Sequence, residues 1–336
     1  MTPDDYIPNQ WYPIFDSSKL RKRKPVGITR LGRRLVLWRD NGGGAVCTTD
    51  RCPHRAAQLS LGWIRDDCLV CPFHGLRFDS AGRCVLIPAN GEGQPVPRSF
   101  DLPTHQVREK HGLIWYWYGD AEPAAEIPWF PEAPEPGSRA SIIQHDYPVS
   151  YLRVMENLGD MHHVPFVHWA TIPGAGNRVE MQEARLDGAI VRMRVSLHHE
   201  RPGWMRTTYN FTSAMRLPTL ATITVASGVQ FVASATPIDR DHTWLWARYG
   251  QDYVPGWLGG RTVAWLIAKF DLELVFTNQD MRMLASQQRN SPDDISSYQL
   301  FEADRAIALY FGLRKQALHE SGPRLNSIQP HAAATE

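Results

Sequence analysis

The chain has 336 residues, of which 43% are hydrophobic and 21% charged, with a formal net charge of +1. That length can bury a large core and suits two domains, and the near-neutral balance excludes a general nucleic-acid or anionic-membrane binder. Five cysteines, an odd number in a chain this long, do not make a disulfide framework and fit a reduced compartment.

From the start, MTPDDYIPNQ is acidic and has no apolar run of the kind a signal peptide carries, so a cytoplasmic protein is expected. The basic stretch KLRKRK at 19–24 is most simply a solvated turn; docking of an acidic redox partner is the alternative. Residues 26–118 predict β structure. Short runs, RLVLWR (34–39), CLVC (68–71), CVLIP (84–88) and LIWYWYG (113–119), are separated there by Gly, Pro, Asn and Asp. Between 121 and 140, five prolines without strand-like alternation predict a connection between domains. Residues 150–164 predict a helix, and the stretches AIVRMRVSL, TTYNFTSAM, TLATITVASGVQFVASATPI and TWLWARYG between 188 and 250 alternate as strands do. Two helical segments follow, 259–289 and 295–320. In the apolar region 257–276, Arg261, Lys269, Asp271 and Glu273 prevent a membrane span.

Two groups of residues carry chemistry. The segment CPHRAAQLSLGWIRDDCLVCPFHG (52–75) holds Cys52-x-His54 and, after sixteen residues, Cys71-x-x-His74. Two such pairs on two loops can close around one metal centre. Zinc accepts two thiolates and two imidazoles tetrahedrally, but Cys-x-His is shorter than the usual zinc-knuckle spacing. Both loops also run from a proline-led turn into glycine or small residues.

The second group is ENLGDMHHVPFVH (156–168). On a helix Asp160 and His163 share one face, as do Glu156 and Asp160, while His162 points away. Pro165 is expected to break the helix and let His168 swing back toward His163. Two neutral imidazoles and one carboxylate make the facial triad of mononuclear non-haem Fe(II) oxygenases. A di-iron carboxylate site needs Glu-x-x-His from two helices, and the sequence has none; Asp239-x-x-His242 is the other acid three before a histidine and sits in a polar turn. Ordinary core histidines are the remaining alternative.

The Cys/His spacing resembles the ligand set of a Rieske [2Fe–2S] cluster, in which Cys52 and Cys71 would hold one iron and His54 and His74 the other. Such ligation raises the potential to about −150 to +300 mV. The loops lack the extra cysteine pair of respiratory Rieske proteins, which resembles the oxygenase type and leaves Cys47, Cys68 and Cys84 as small apolar residues. With Asn157-x-x-Asp160-x-x-His163 and His168 downstream, most of the chain, from Trp11-Tyr12-Pro13 to the C-terminal helices, is similar to Rieske non-haem iron oxygenases. These are the terminal components of aromatic-ring hydroxylating and demethylating systems.

That resemblance implies an α+β architecture: an all-β Rieske domain (1–125), a Pro-rich connection (126–140), and a helix-grip, START-like catalytic domain (141–336) with an antiparallel sheet and helices. It implies His163, His168 and a downstream carboxylate as ligands of a mononuclear Fe(II). Asp280 in FTNQDMRMLASQQ (276–288), seven residues before Gln287, matches that place; Asp271 and Glu273 are rivals, and Ala285 stands where the family often has Glu. It also implies that Asp160 accepts a hydrogen bond from His163 and reaches His74 of the partner subunit in a head-to-tail homotrimer. His162 and Glu156 would be supporting residues.

The expected activity is that of a terminal oxygenase. It would use O2, with electrons from a separate reductase and with or without a ferredoxin, to hydroxylate or oxidatively demethylate a small cyclic or aromatic substrate. A Rieske-type electron carrier, a ring cis-dihydroxylating dioxygenase and a zinc-stabilised ligand-binding protein are the alternatives. Tyr209, Phe211, Phe231, Trp244 and Trp246 are candidates for a pocket wall.

Overall fold

The computed structural model describes residues 6–137, 139–171, 176–198, 208–225, 228–287, 295 and 298–321. Thr207, Ala226 and Ser227 of the expected strands, and residues 288–289 and 296–297 of the expected helices, lie outside the described residues. Among those described, no helix is long and apolar enough to cross a membrane.

The first part is β, as its punctuated apolar runs predict. Its strands are β1 (Gln10–Asp16), β2 (Val26–Arg30), β3 (Arg33–Arg39), β4 (Ala45–Thr49), β5 (Trp63–Arg65), β6 (Cys68–Val70), β7 (Arg77–Phe78), β8 (Cys84–Leu86), β9 (Thr104–His105), β10 (Val107–Lys110) and β11 (Leu113–Tyr118). They form three sheets, ordered β1-β11-β10, β2-β3-β4-β9 and β5-β6-β7-β8. Every residue of β11 is buried, because it lies between two neighbours with both faces covered. Among the described residues no helix or strand falls between 119 and 139. Trp129 and Phe130 of this connection pack with Trp115 and Trp246 in one apolar cluster.

The second part is built on a seven-stranded antiparallel sheet: β12 (Ala140–Tyr147), β13 (Arg178–Asp187), β14 (Ile190–His198), β15 (Tyr209–Arg216), β16 (Leu220–Val225), β17 (Val229–Pro237) and β18 (Thr243–Gln251). Its order is β12-β18-β17-β16-β15-β14-β13. The alternating stretches of the sequence are the five inner strands. Both strands without a sequence signal, β12 and β13, are the edges. Edge strands tolerate charge and need only one apolar face, so RVEMQEARLD reads as polar. Ala140, expected to close the connection, instead opens β12.

The helices differ from expectation in three places. The helix expected over 150–164 is α1 (Tyr151–Gly159), capped by the Ser150 hydroxyl accepting from Leu152 N at 3.3 Å. It ends at Asp160, whose backbone is extended (φ −104°, ψ 115°). Pro165 is not the break: it lies in the first turn of a new short helix, α2 (Val164–Val167), where its missing N–H costs nothing. The segment expected over 259–289 divides into α3 (Gly260–Lys269), a π-helix (Phe270–Asp280) and α4 (Met281–Ser286). The last helix, α5 (Arg305–Ser321), follows a short 3-10 turn at Glu302–Asp304 rather than starting at 295.

Helix α1 lies across β15 to β18, α3 against β12 and β18, and α5 against β13 and β14. The two parts share a core. Tyr12, Ile14 and Leu35 belong to the same buried cluster as Leu152, Met155 and Tyr249. Backbone bonds also join them: Leu31 N to Pro237 O (2.8 Å) and Gly32 N to Ile238 O (2.9 Å).

Candidate cluster site and metal centre

Cys52, between β4 and β5, and Cys71, between β6 and β7, open two matching loops. In each, the cysteine N–H donates five residues ahead, Cys52 to Ala57 O (2.8 Å) and Cys71 to Leu76 O (2.9 Å). In each, the cysteine carbonyl accepts from four ahead, from Ala56 N (2.8 Å) and Gly75 N (3.0 Å). Both of those residues have positive φ, +59° and +73°, which Gly adopts freely and Ala does not. The folding puts both sulfurs in the interior and both imidazoles at the surface: the cysteines are buried, His54 and His74 are exposed, and the rings stand 4.7 Å apart between centroids.

Burial pushes the Cys52 thiol up to about 11, and a bound metal would favour its thiolate form. Among the described residues, no three donor atoms of this set lie within 4.8 Å of one another, as one tetrahedral ion would require. A two-iron cluster spreads its ligands over a larger centre, with thiolates on one iron and imidazoles on the other, and buried cysteines with exposed histidines would suit that division.

The second centre is tighter. His163 Nε2, His168 Nε2 and Asp280 Oδ1 form a triangle with edges of 3.2, 3.3 and 3.3 Å. These are the spacings at which three donor atoms could be shared by one metal ion, so His163, His168 and Asp280 would be the residues to hold it. His168 and Asp280 are buried. A metal held by two imidazoles and one carboxylate would keep positions open for small molecules and supply O2 activation.

Two of the three donor residues, His168 and Asp280, are held by neighbours that the sequence did not single out for that role. His168 Nδ1–H donates to Gln279 Oε1 at 2.7 Å, and the Thr171 hydroxyl donates to the same oxygen at 3.1 Å. Because Nδ1 carries the proton, Nε2 keeps its lone pair. Asn157 Nδ2 donates to Asp280 Oδ1 at 3.3 Å. A glutamine beside the acidic residue and an asparagine one helical turn before the histidine segment were available signals.

The remaining candidates separate. Asp160 Oδ2 is 3.4 Å from His163 Nδ1, and Asp160 Oδ1 accepts from His162 N at 2.7 Å. Burial alone would push the Asp160 carboxyl up, but the contacts with His163 and His162 hold it below its usual range. His162 is half-buried, edge-on to Phe166 and Phe301. Glu156 is turned from the triad into an ion pair with Arg153 at 2.7 Å. Glu273 pairs with Lys269 at 3.4 Å, Gln287 is exposed at the end of α4, and Asp239 and His242 bond each other in an exposed turn. Asp271 accepts a hydrogen bond from the Tyr249 hydroxyl. Neither rival to Asp280 joins the triangle.

A cavity of about 140 Å³ adjoins the triad, walled by α1, the π-helix and one face of the sheet. Phe211 and Phe231 line it, as expected. Tyr209, Trp244 and Trp246 do not. Strand side chains alternate between faces, so on β18 the cavity side carries Leu245, Ala247 and Tyr249. Trp244 and Trp246 face the opposite cluster with Trp11 and Trp115. Tyr209 sits at the start of β15, partly buried against the main core.

Two families match the chain: the Rieske [2Fe-2S] domain over residues 10–106 and the vanillate O-demethylase oxygenase C-terminal domain over 178–319. Among curated relatives, the oxygenase component of dicamba O-demethylase from Stenotrophomonas maltophilia is 36% identical over 55% of this chain and 55% of its own. Methylxanthine N1-demethylase NdmA from Pseudomonas putida is 33% identical over 50% of this chain and 49% of its own. Protein TIC 55 of Arabidopsis thaliana chloroplasts is 34% identical over 47% of this chain and 30% of its own. The chain thus spans under a third of the TIC 55 relatives and about half of the bacterial ones. In three dimensions, dicamba monooxygenase bound to 3,6-dichlorosalicylic acid superposes with a TM-score of 0.76 at 22% identity, over 94% of this chain and 99% of that one. Pseudomonas putida NdmA gives 0.69 at 25%, over 95% and 94%.

Proposed function

This chain belongs to the Rieske non-haem iron oxygenases, and from that premise we propose a terminal oxygenase that hydroxylates or oxidatively demethylates a small cyclic or aromatic substrate. We assign residues 1–125 to the Rieske domain, 126–140 to the connection and 141–336 to the catalytic domain. One observation carries the reading: two imidazole nitrogens and one carboxylate oxygen within 3.3 Å of one another at the wall of an apolar cavity. The electron-carrier alternative gives no role to that triad.

Cys52, Cys71, His54 and His74 would hold the [2Fe–2S] cluster, and His163, His168 and Asp280 the mononuclear Fe(II); together these groups supply stored electrons and O2 activation. The chain's own residues do the rest. Gln279 keeps the Nδ1 proton on His168, so the ligating nitrogen stays unprotonated. Asn157 fixes the Asp280 carboxylate from α1. The apolar walls keep water from the reacting carbon. A cavity near 140 Å³ takes about one ring, comparable with the roughly 150 Å³ cavity that accommodates benzene.

Electrons are proposed to come from a separate reductase, directly or through a ferredoxin, and to cross between subunits of a head-to-tail homotrimer with Asp160 facing His74 of the partner subunit. Exposed apolar side chains on both surfaces support this: Phe73 beside His74, and Phe166 and Trp169 beside the triad histidines. A ring interface would bury them.

The test is iron content and spectrum of anaerobically purified protein, followed by 18O2 incorporation into one-ring probes in a single reduced turnover. About three irons per chain, a reddish-brown spectrum and one labelled oxygen in the product are expected. Two irons without labelled product indicates a carrier, and colourless zinc protein ends the proposal. Two labelled oxygens in one product indicate cis-dihydroxylation.

A further inference from the structure

The cavity holds one acid that the iron centre does not use. Among its described polar groups, His163, His168 and Asp280 form the triad, and Asn157 is committed to Asp280. Tyr249 and Asp271 are left, bonded to one another.

The π-helix puts Asp271 there. Nine residues separate Asp271 from Asp280, and at 100° per residue an α-helix would turn them about 180° apart. Bonds from i to i+5 widen the turn, so nine residues complete about two turns and both acids face the cavity. The side chains follow the wider pitch: the Thr277 hydroxyl donates to Leu272 O at 2.6 Å and Asn278 Nδ2 to Glu273 O at 3.0 Å, each five residues back. The π-helix is rare and is found frequently at functional sites. This one delivers a second carboxyl beside the triad.

The surroundings of Asp271 suit a ligand better than a structural role. Tyr249 donates to Oδ2, while no described residue hydrogen-bonds Oδ1. No described Lys or Arg pairs with it. Burial pushes the carboxyl up, with Tyr249 and His168 acting the other way. Tyr249 is itself fixed by stacking on Phe231, with centroids 4.9 Å apart and planes 24° from parallel. An acid in an apolar wall, aimed by a rigid donor and without a Lys or Arg partner among the described residues, is stabilised by a group that brings an N–H to its second oxygen.

We propose that Asp271, oriented by Tyr249, anchors an N–H or ammonium group of the substrate, so that the substrate is a small nitrogen-bearing ring held with one carbon toward the triad. The assignment rests on the oxygenase reading and deepens it. Asp271 is a substrate-orienting residue and takes no part in oxygen chemistry. The same chemistry selects against carboxylate-bearing rings, which would set two acids together.

The test is calorimetric binding of benzylamine, benzyl alcohol and benzoate to holoprotein of measured iron content. Wild type is expected to prefer benzylamine over benzyl alcohol by about tenfold or more, as a charge-assisted hydrogen bond supplies, and to bind benzoate weakest. In Asp271→Asn the amine preference should fall to near unity with iron and cluster contents unchanged. Tyr249→Phe, which keeps the acid but loosens its aim, should reduce the preference without abolishing it. Should Asp271→Asn not fold, that intermediate preference in Tyr249→Phe decides. An undiminished amine preference in the folded variants, or benzoate bound most tightly by wild type, overturns the anchor. Absence of the third iron overturns the oxygenase reading instead, so the two failures are distinct.

Discussion

Asp160 Oδ2 lies 3.4 Å from His163 Nδ1 although the helix that carries Asp160 has already ended. On a continuous helix the pair would be ordinary i,i+3 neighbours. Here the contact spans an extended residue and a turn, and the bond from Asp160 Oδ1 to His162 N holds the carboxylate in place. Asp160 thus stands at ion-pair distance from a triad histidine without forming the expected hydrogen bond to it. Asp160→Asn should keep cluster and iron yet reduce coupled turnover by about 100-fold. Metal analysis with stopped-flow reoxidation of the cluster measures this; normal turnover in a fully loaded variant would sink the bridging role.

Gln279 sets the tautomer of His168. Gln279→Leu should weaken iron binding by about 10- to 100-fold, whereas Gln279→Glu, which keeps an acceptor, should retain it. Competition with a chelator reads the affinities directly. Equal affinities for the Leu variant and wild type would show that packing alone aligns the ring.

Ala233 and Ala247 face each other across β17 and β18 on the cavity side. Ala247→Leu places three extra carbons in a space of about 140 Å³. One-ring ligands should bind at least about tenfold more weakly while iron content is kept, with overpacking of about 1–3 kcal/mol as the cause. Titration calorimetry on the loaded variant is the check. Unaltered binding would place the ligand elsewhere.

His105 lies in the N-terminal part, edge-on to Tyr116 at 5.3 Å. Burial, and secondarily Arg33, lowers its pKa to about 4 from about 6.5. The folded form therefore binds the proton less well than the unfolded chain. The stabilisation is full above pH 6.5 and is lost as pH falls toward 4. Between pH 7.5 and 5.5 the loss is about 1.4 kcal/mol. Denaturant unfolding at the two pH values should give that difference between wild type and His105→Gln, which has no proton to gain. Parallel slopes for the two proteins would contradict it.

The local spacings in the sequence were sufficient for the two cysteine–histidine loops, for the pair His163 and His168, and for the five inner strands. Those features depend on neighbours a few residues apart, whose separation the covalent chain sets. Tertiary structure decided which wall of β18 meets the cavity. A strand's alternation tells that Trp244 and Trp246 face one way and Leu245 and Ala247 the other, but not which way the core lies. It also decided the pitch between 270 and 280. An α and a π winding share one sequence, and packing against α1 and the sheet selects the turn that brings Asp271 and Asp280 to the same cavity. The groups that hold the two acids there come from other elements, Tyr249 of β18 for Asp271 and Asn157 of α1 for Asp280.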